Sequence, residues 1–127
     1  SARTVYRFVH TDQVNVETLR PDFLSDRETG KRPFRREKLY PELRDGMSAF
    51  GSLDAAREIW ATMHEAASSR NQEVRAGSYV AEVGLTPNAD FQIEDLGEPD
   101  QHVTIWGDPD QLAGAVSRIY PASTEND

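Results

Sequence analysis

Met47-Ser48-Ala49-Phe50-Gly51-Ser52-Leu53-Asp54-Ala55-Ala56, running on through Arg57 to Ser68, is the stretch that decides the fold. Met47 to Phe50 is a short apolar run that reads as a strand, and Gly51-Ser52 is a tight turn. From Leu53 the period of the apolar residues changes. Leu53, Ala56, Ile59, Trp60, Met63 and Ala67 recur at helical spacing and make one apolar stripe. Ser52 stands at the N-cap position and Asp54 brings negative charge into the first turn. The unit is therefore strand, turn, helix, with the helix reaching from Leu53 to about Ser68. Trp60 and Met63 anchor its stripe and are expected to be largely buried.

Working outward, Thr4 to Val9 forms a strand, and a short helical piece follows near Val14 to Leu19, stopped by Pro21. Residues 21 to 46 make a long connection, in which Lys38 to Arg44 adds a turn or two of helix limited by Pro41. A connection of that length in a small domain is commonly either functional or mobile. On the other side, Gly77 opens a strand through Leu85, with Tyr79, Ala81, Val83 and Leu85 alternating with Ser78, Val80, Glu82 and Gly84. Phe91 to Leu96 and His102 to Trp106 supply two further strands. Asp108-Pro109-Asp110-Gln111 starts a last helix, with Asp108 as cap and Pro109 in the first helical position. Leu112, Ala115, Val116 and Ile119 are expected to face inward from it. Strands outnumber helices without regular alternation, so the fold class is α+β: a small mixed, mostly antiparallel sheet with two main helices. Residues 1–120 form the domain, and 121–127 are expected to be a frayed tail.

Composition narrows the function classes. The 127 residues suffice for one core, and 37% hydrophobic residues with seven Pro and eight Gly describe a globular chain. The net charge of −8 is uneven: from Gly77 onward Arg118 is the sole basic residue against ten acidic ones, while Lys31 to Lys38 concentrates positive charge. An acidic chain repels duplex DNA. No apolar run is long enough to span a membrane and no secretory leader is visible, so a cytoplasmic location is the expectation. Without Cys there are no disulfides, thiolate nucleophiles or sulfur-ligated zinc. His10, His64 and His102 lack metal-ligand spacing, so no metal site is expected. No Gly-rich phosphate loop or nucleophile elbow is present.

Polar residues inside strands are the candidates for chemistry. Arg7 shares a strand face with Val5 and Val9, while Tyr6 and Phe8 take the other. A buried guanidinium keeps its proton and requires a carboxylate or an anionic ligand. Glu82 is the carboxylate placed mid-strand, where it either pairs with a cation or shifts its pKa. Arg7 paired with Glu82 is one reading, and Arg7 as the floor of an anion site is the other. His102, Thr104 and Trp106 share a face on their strand, a mixture of imidazole, hydroxyl and indole suited to a ligand.

The order of these parts resembles the ADP-ribosyltransferase-like fold. Val5-Tyr6-Arg7 is similar to the opening strand of RES-type toxins, and Ser48 to Ala56 is similar to the strand-to-helix element shared by RES domains and small rifampin-type ADP-ribosyltransferases. Gly30-Lys31-Arg32 is similar to their Gly-Gly-Arg loop, Glu58 is the nearest match to an acidic residue on the helix, and Thr104 stands where they use a late Ser. The resemblance implies NAD as substrate. Arg7 and Arg32 would hold pyrophosphate, and Ser48, Phe50 and Ser52 would line the nicotinamide-ribose side. Glu82 or Glu58 would supply the carboxylate that stabilises positive charge on the departing ribosyl group.

Two functions follow as expectations. One is an NAD-using transferase or glycohydrolase of the toxin type. Its site would be a single cleft lined by Arg7, Ser48, Ser52 and the His102-Thr104-Trp106 face, with the basic loop Lys31 to Lys38 as a lid. The other is a non-catalytic interaction protein, an immunity or regulatory partner whose acidic half docks on a basic protein surface.

Overall fold

The computed structural model describes residues 3–30, 38–39, 45–86, 92–95 and 101–124. Among the described residues six strands form one sheet: β1 (Arg3–Val9), β2 (Met47–Phe50), β3 (Tyr79–Leu85), β4 (Gln92–Asp95), β5 (His102–Trp106) and β6 (Val116–Pro121). Their spatial order is β4-β5-β2-β1-β3-β6, and every pairing is antiparallel. The helices are α1 (Val16–Leu19), α2 (Asp26–Thr29), α3 (Leu53–Ser68) and α4 (Pro109–Gly114), with a 3₁₀ turn at Arg20–Phe23. The α+β class is borne out.

Alternation along the strands sorts the side chains into two layers. One face carries Val5, Val9, Met47, Ala49, Ala81, Val83, Leu85, Val103 and Ile105, covered by Leu19, Phe23, Leu112 and Ala113 from α1, the 3₁₀ turn and α4. Leu19, Phe23, Ile105 and Leu112 are fully buried there, each contributing about 1.5–3 kcal/mol. The other face carries Phe50 and Val80, with Tyr6 and Phe8 beside them, under Ala55, Ala56 and Trp60 of α3. Trp60 is buried as expected and donates its indole N–H to the Gly77 carbonyl at 2.9 Å, while Met63 is partly buried on the same layer. Ser52 caps α3 by accepting from Ala55 N–H at 3.1 Å.

Gly77 is required where it stands. Its φ is +107°, and a Cβ there would lie 2.1 Å from the Val9 carbonyl oxygen. The bend it makes delivers the chain into β3 at Tyr79, two residues later than the sequence pattern places the strand's start.

The last helix differs most from its expectation. It ends at Gly114, and Val116 to Pro121 continues as β6 against β3. Val116 and Ile119 still face the apolar layer, but from a strand. The outer edge of β3 offers unpaired backbone groups, and the β-branched and aromatic residues from Val116 to Tyr120 satisfy them better than more helix would. Nor does fraying begin at residue 121. Pro121 belongs to β6, and Ala122 is buried with its N–H on the Ser78 carbonyl at 2.9 Å. Arg32, the expected Lys31-to-Lys38 lid apart from Lys38, and most of the helical turn expected at Lys38 to Arg44 lie outside the described residues.

Candidate functional site

Arg7 lies between Val5 and Val9 on the face covered by the 3₁₀ turn. β1 meets β2 at Tyr6–Phe50, and beyond that point the Arg7 side chain links the two strands. Its Nη1 donates to the Ser48 carbonyl at 2.6 Å and its Nε to the Asp22 carbonyl at 2.7 Å, while the guanidinium carbon sits 5.9 Å from the centre of the Phe23 ring. Asp22 gives Arg7 only that backbone oxygen. Its carboxylate accepts from His10 N–H at 2.9 Å and faces the His10 ring at Nδ1, whose Nε2 faces the Arg75 carbonyl at 2.7 Å. Arg7 is therefore bonded to carbonyls and, among the described residues, to no carboxylate. Burial pushes its pKa down to about 10, with the negative charges of Asp22 and Asp26 acting the other way. Its Nη2 has no partner among the described residues.

Glu82 does not pair with Arg7. The β1–β3 register sets Glu82 opposite Tyr6 and Arg7 opposite Ala81, so the two charges project from opposite faces of the sheet. Glu82 Oε1 accepts from the Tyr6 hydroxyl at 3.1 Å and from the Tyr120 hydroxyl at 3.5 Å, and Oε2 accepts from Ser117 at 3.0 Å. Ser117 reaches it because the register slips: Glu82 opposes Arg118 whereas Val83 opposes Val116. The extra residue is a bulge that turns the Ser117 side chain toward the carboxylate. Arg118 and Arg57 flank the Tyr120 ring at 5.8 and 5.9 Å, and Arg57 also holds the Pro121 carbonyl at 3.0 Å. Burial, then the bond to Glu82 and its charge, raise the Tyr6 pKa.

Ser48, Phe50, His102, Thr104 and Trp106 do come together on the α3 face. Phe50 opposes His102 and Ser48 opposes Thr104 across β2 and β5. His102 Nε2 lies 2.9 Å from Ser48 Oγ, and its ring stands edge-on to Phe50 at 5.7 Å. Thr104, however, is 7% exposed. A Cβ on Gly46 would fall 2.6 Å from Thr104 Cγ2 and 2.8 Å from the Trp106 indole, so the chain entering β2 covers that end of the strip. Glu58 is exposed on α3, and Ser52 is occupied as its cap.

The single cleft expected from Arg7, Ser48, Ser52 and the His102 strip is thus not formed. Arg7 and His102 lie on opposite faces and meet only through Ser48, one at its carbonyl and the other at its hydroxyl. A hollow of about 450 Å³ lies elsewhere, between α3 and the residues after β6, lined by Arg57, Trp60, His64, Ser68, Ser123 and Thr124. No expected site residue lines it. Sequence reasoning did not find the hydroxyls around Glu82. Tyr6 was visible as its strand neighbour's face, but Ser117 depends on a bulge and Tyr120 on a strand read as helix. Comparison with protein-family models, with curated proteins and with solved structures returned no match.

Proposed function

We propose that this chain binds an anionic ligand of the dinucleotide class at Arg7, as an NAD-using protein of the ADP-ribosyltransferase-like type. One observation carries the reading: Arg7 is a partly buried guanidinium whose partners are two neutral carbonyls, with donors to spare. A buried cation without a bonded carboxylate is costly unless an anion completes it. A pyrophosphate supplies two charges and planar-fork acceptors, which suits guanidinium better than any other side chain. Ser48 serves the Arg7 side of the sheet through its carbonyl alone, its hydroxyl turning to His102 on the other face.

Catalysis is the finer part of this proposal. Departure of nicotinamide builds positive charge on the ribose, and a carboxylate beside it lowers the barrier. Glu82 faces away from Arg7, and Asp22 and Asp26 are the carboxylates whose charge reaches it. Binding is therefore the better-supported half. A melting-temperature titration with NAD, followed by measurement of nicotinamide release, tests both halves in turn. A rise that saturates with NAD supports the site, and release above the spontaneous rate supports turnover. No rise at millimolar NAD contradicts the proposal.

The second reading, an acidic interaction protein, is favoured by one patch. Val14 and Val16 are 57% and 41% exposed, between the exposed acids Asp12 and Glu17. Apolar centres with a charged rim suit a basic protein surface. Association that weakens as salt rises, with no response to NAD, would support it.

A further inference from the structure

Ser48 and His102 carry chemistry that the Arg7 reading leaves unused. The hydroxyl is exposed on β2, and the imidazole reaches it from β5 with Nε2 at 2.9 Å from Oγ. That separation is hydrogen-bond reach for a nucleophile and its general base. Both members are fixed by their surroundings. The Ser48 backbone is pinned through its carbonyl by Arg7 at 2.6 Å. The His102 ring is held edge-on by Phe50, which is 5% exposed and packs in turn on Phe8 at 5.4 Å. A freely rotating surface serine would average away its alignment, whereas this pair sits on two directly hydrogen-bonded strands with Ser48 and His102 diagonal across them.

We propose that Ser48 is a nucleophile activated by His102, and that the pair accepts acyl groups from uncharged esters. In the acylation step, Ser48 Oγ forms a bond to the ester carbonyl carbon while its proton passes to His102 Nε2. The tetrahedral adduct then expels the alcohol, which leaves with that proton. Water, deprotonated by the same imidazole, releases the acid and regenerates the hydroxyl. Phe50 packed edge-on against the imidazole gives the pair an apolar support, which suits an uncharged acyl group. The inference rests on the hydrogen bond and its supports, and is independent of whether Arg7 binds a dinucleotide.

The probe is p-nitrophenyl acetate, incubated with the full chain and quenched in acid, with acetylated positions mapped by peptide mass. The expected result is acetyl on Ser48 at a rate well above that on Ser117, which is also exposed on the sheet but whose hydroxyl bonds the Glu82 carboxylate and not an imidazole. Replacing His102 with Gln should slow labelling by about 100-fold or more, the range for loss of a general base, and Ser48→Ala should remove the adduct. Because the ratio of Ser48 to Ser117 labelling is read on the parent, a poorly folded His102→Gln variant does not remove the test. Labelling of Ser48 no faster than Ser117 overturns the proposal.

Discussion

Arg7 and Glu82 sit one register step apart on neighbouring strands, each a charge set in an apolar run, and the two surroundings answer that charge differently. Around Glu82 the protein supplies three hydroxyl donors, from Tyr6, Ser117 and Tyr120, so the carboxylate is satisfied from within. Around Arg7 it supplies two carbonyl oxygens, and the carboxylates of Asp22 and Asp26 reach it by charge without bonding to it, Asp22 turning its side chain to His10. Burial without a bonded counter-charge lowers the Arg7 pKa, whereas near Glu82 the cost falls on a neutral phenol whose proton is held more tightly. A charge completed by its own fold is a structural element. One left incomplete is the place to look for a ligand.

The largest effect that separates the two regions should be in stability. Glu82→Leu strands three hydroxyls and is expected to cost about 1–3 kcal/mol in denaturant unfolding. Arg7→Met leaves two carbonyls without their donor but also removes a buried charge that no described carboxylate bonds, so its net cost should stay below about 1 kcal/mol. Equal losses in the two variants would erase the distinction.

Next in size is the alkaline response. The Tyr6 pKa is raised in the folded state, so the native protein binds that proton more tightly than the unfolded chain. Its stabilisation is fully present below about pH 10, the ordinary tyrosine value, and is lost as pH rises through the folded value. Tyr6→Phe should be less stable than the parent by about 1 kcal/mol at neutral pH and should converge with it in strong alkali. An ultraviolet titration should show one of the four tyrosines ionising late. Parallel pH curves for the two proteins would contradict the Glu82 contact.

The smallest effect belongs to Glu58. It is exposed on α3, and Glu58→Gln should change stability by no more than about 0.5 kcal/mol. A loss of nicotinamide release in that variant would restore it as the catalytic carboxylate.

These contrasts also mark what the sequence could convey. The α3 stripe and the caps at Ser52 and Asp108 follow from local spacing, and the structure has them where that spacing puts them. Leu112, Ala115, Val116 and Ile119 fit helical spacing equally well, yet the chain turns to strand after Gly114 because β3 presents an open edge, a tertiary fact. For the site, parity within one strand is legible: Arg7 faces away from Tyr6. Whether Glu82 shares a face with Arg7 or with Tyr6 depends on how β1 and β3 register, and one residue of slip reverses the answer. The same holds for Ser117, whose orientation comes from a bulge.

The central claim is that the Arg7 charge is reserved for an anion while the Glu82 charge is not. Calorimetric titration of ADP-ribose into the parent, Arg7→Met and Glu82→Gln proteins tests it most directly. The expected result is saturable binding to the parent, weakened about tenfold or more in Arg7→Met through loss of a charge-assisted contact, and affinity within about twofold of the parent in Glu82→Gln. Binding that survives Arg7→Met unchanged, or that Glu82→Gln weakens as much, would contradict the account.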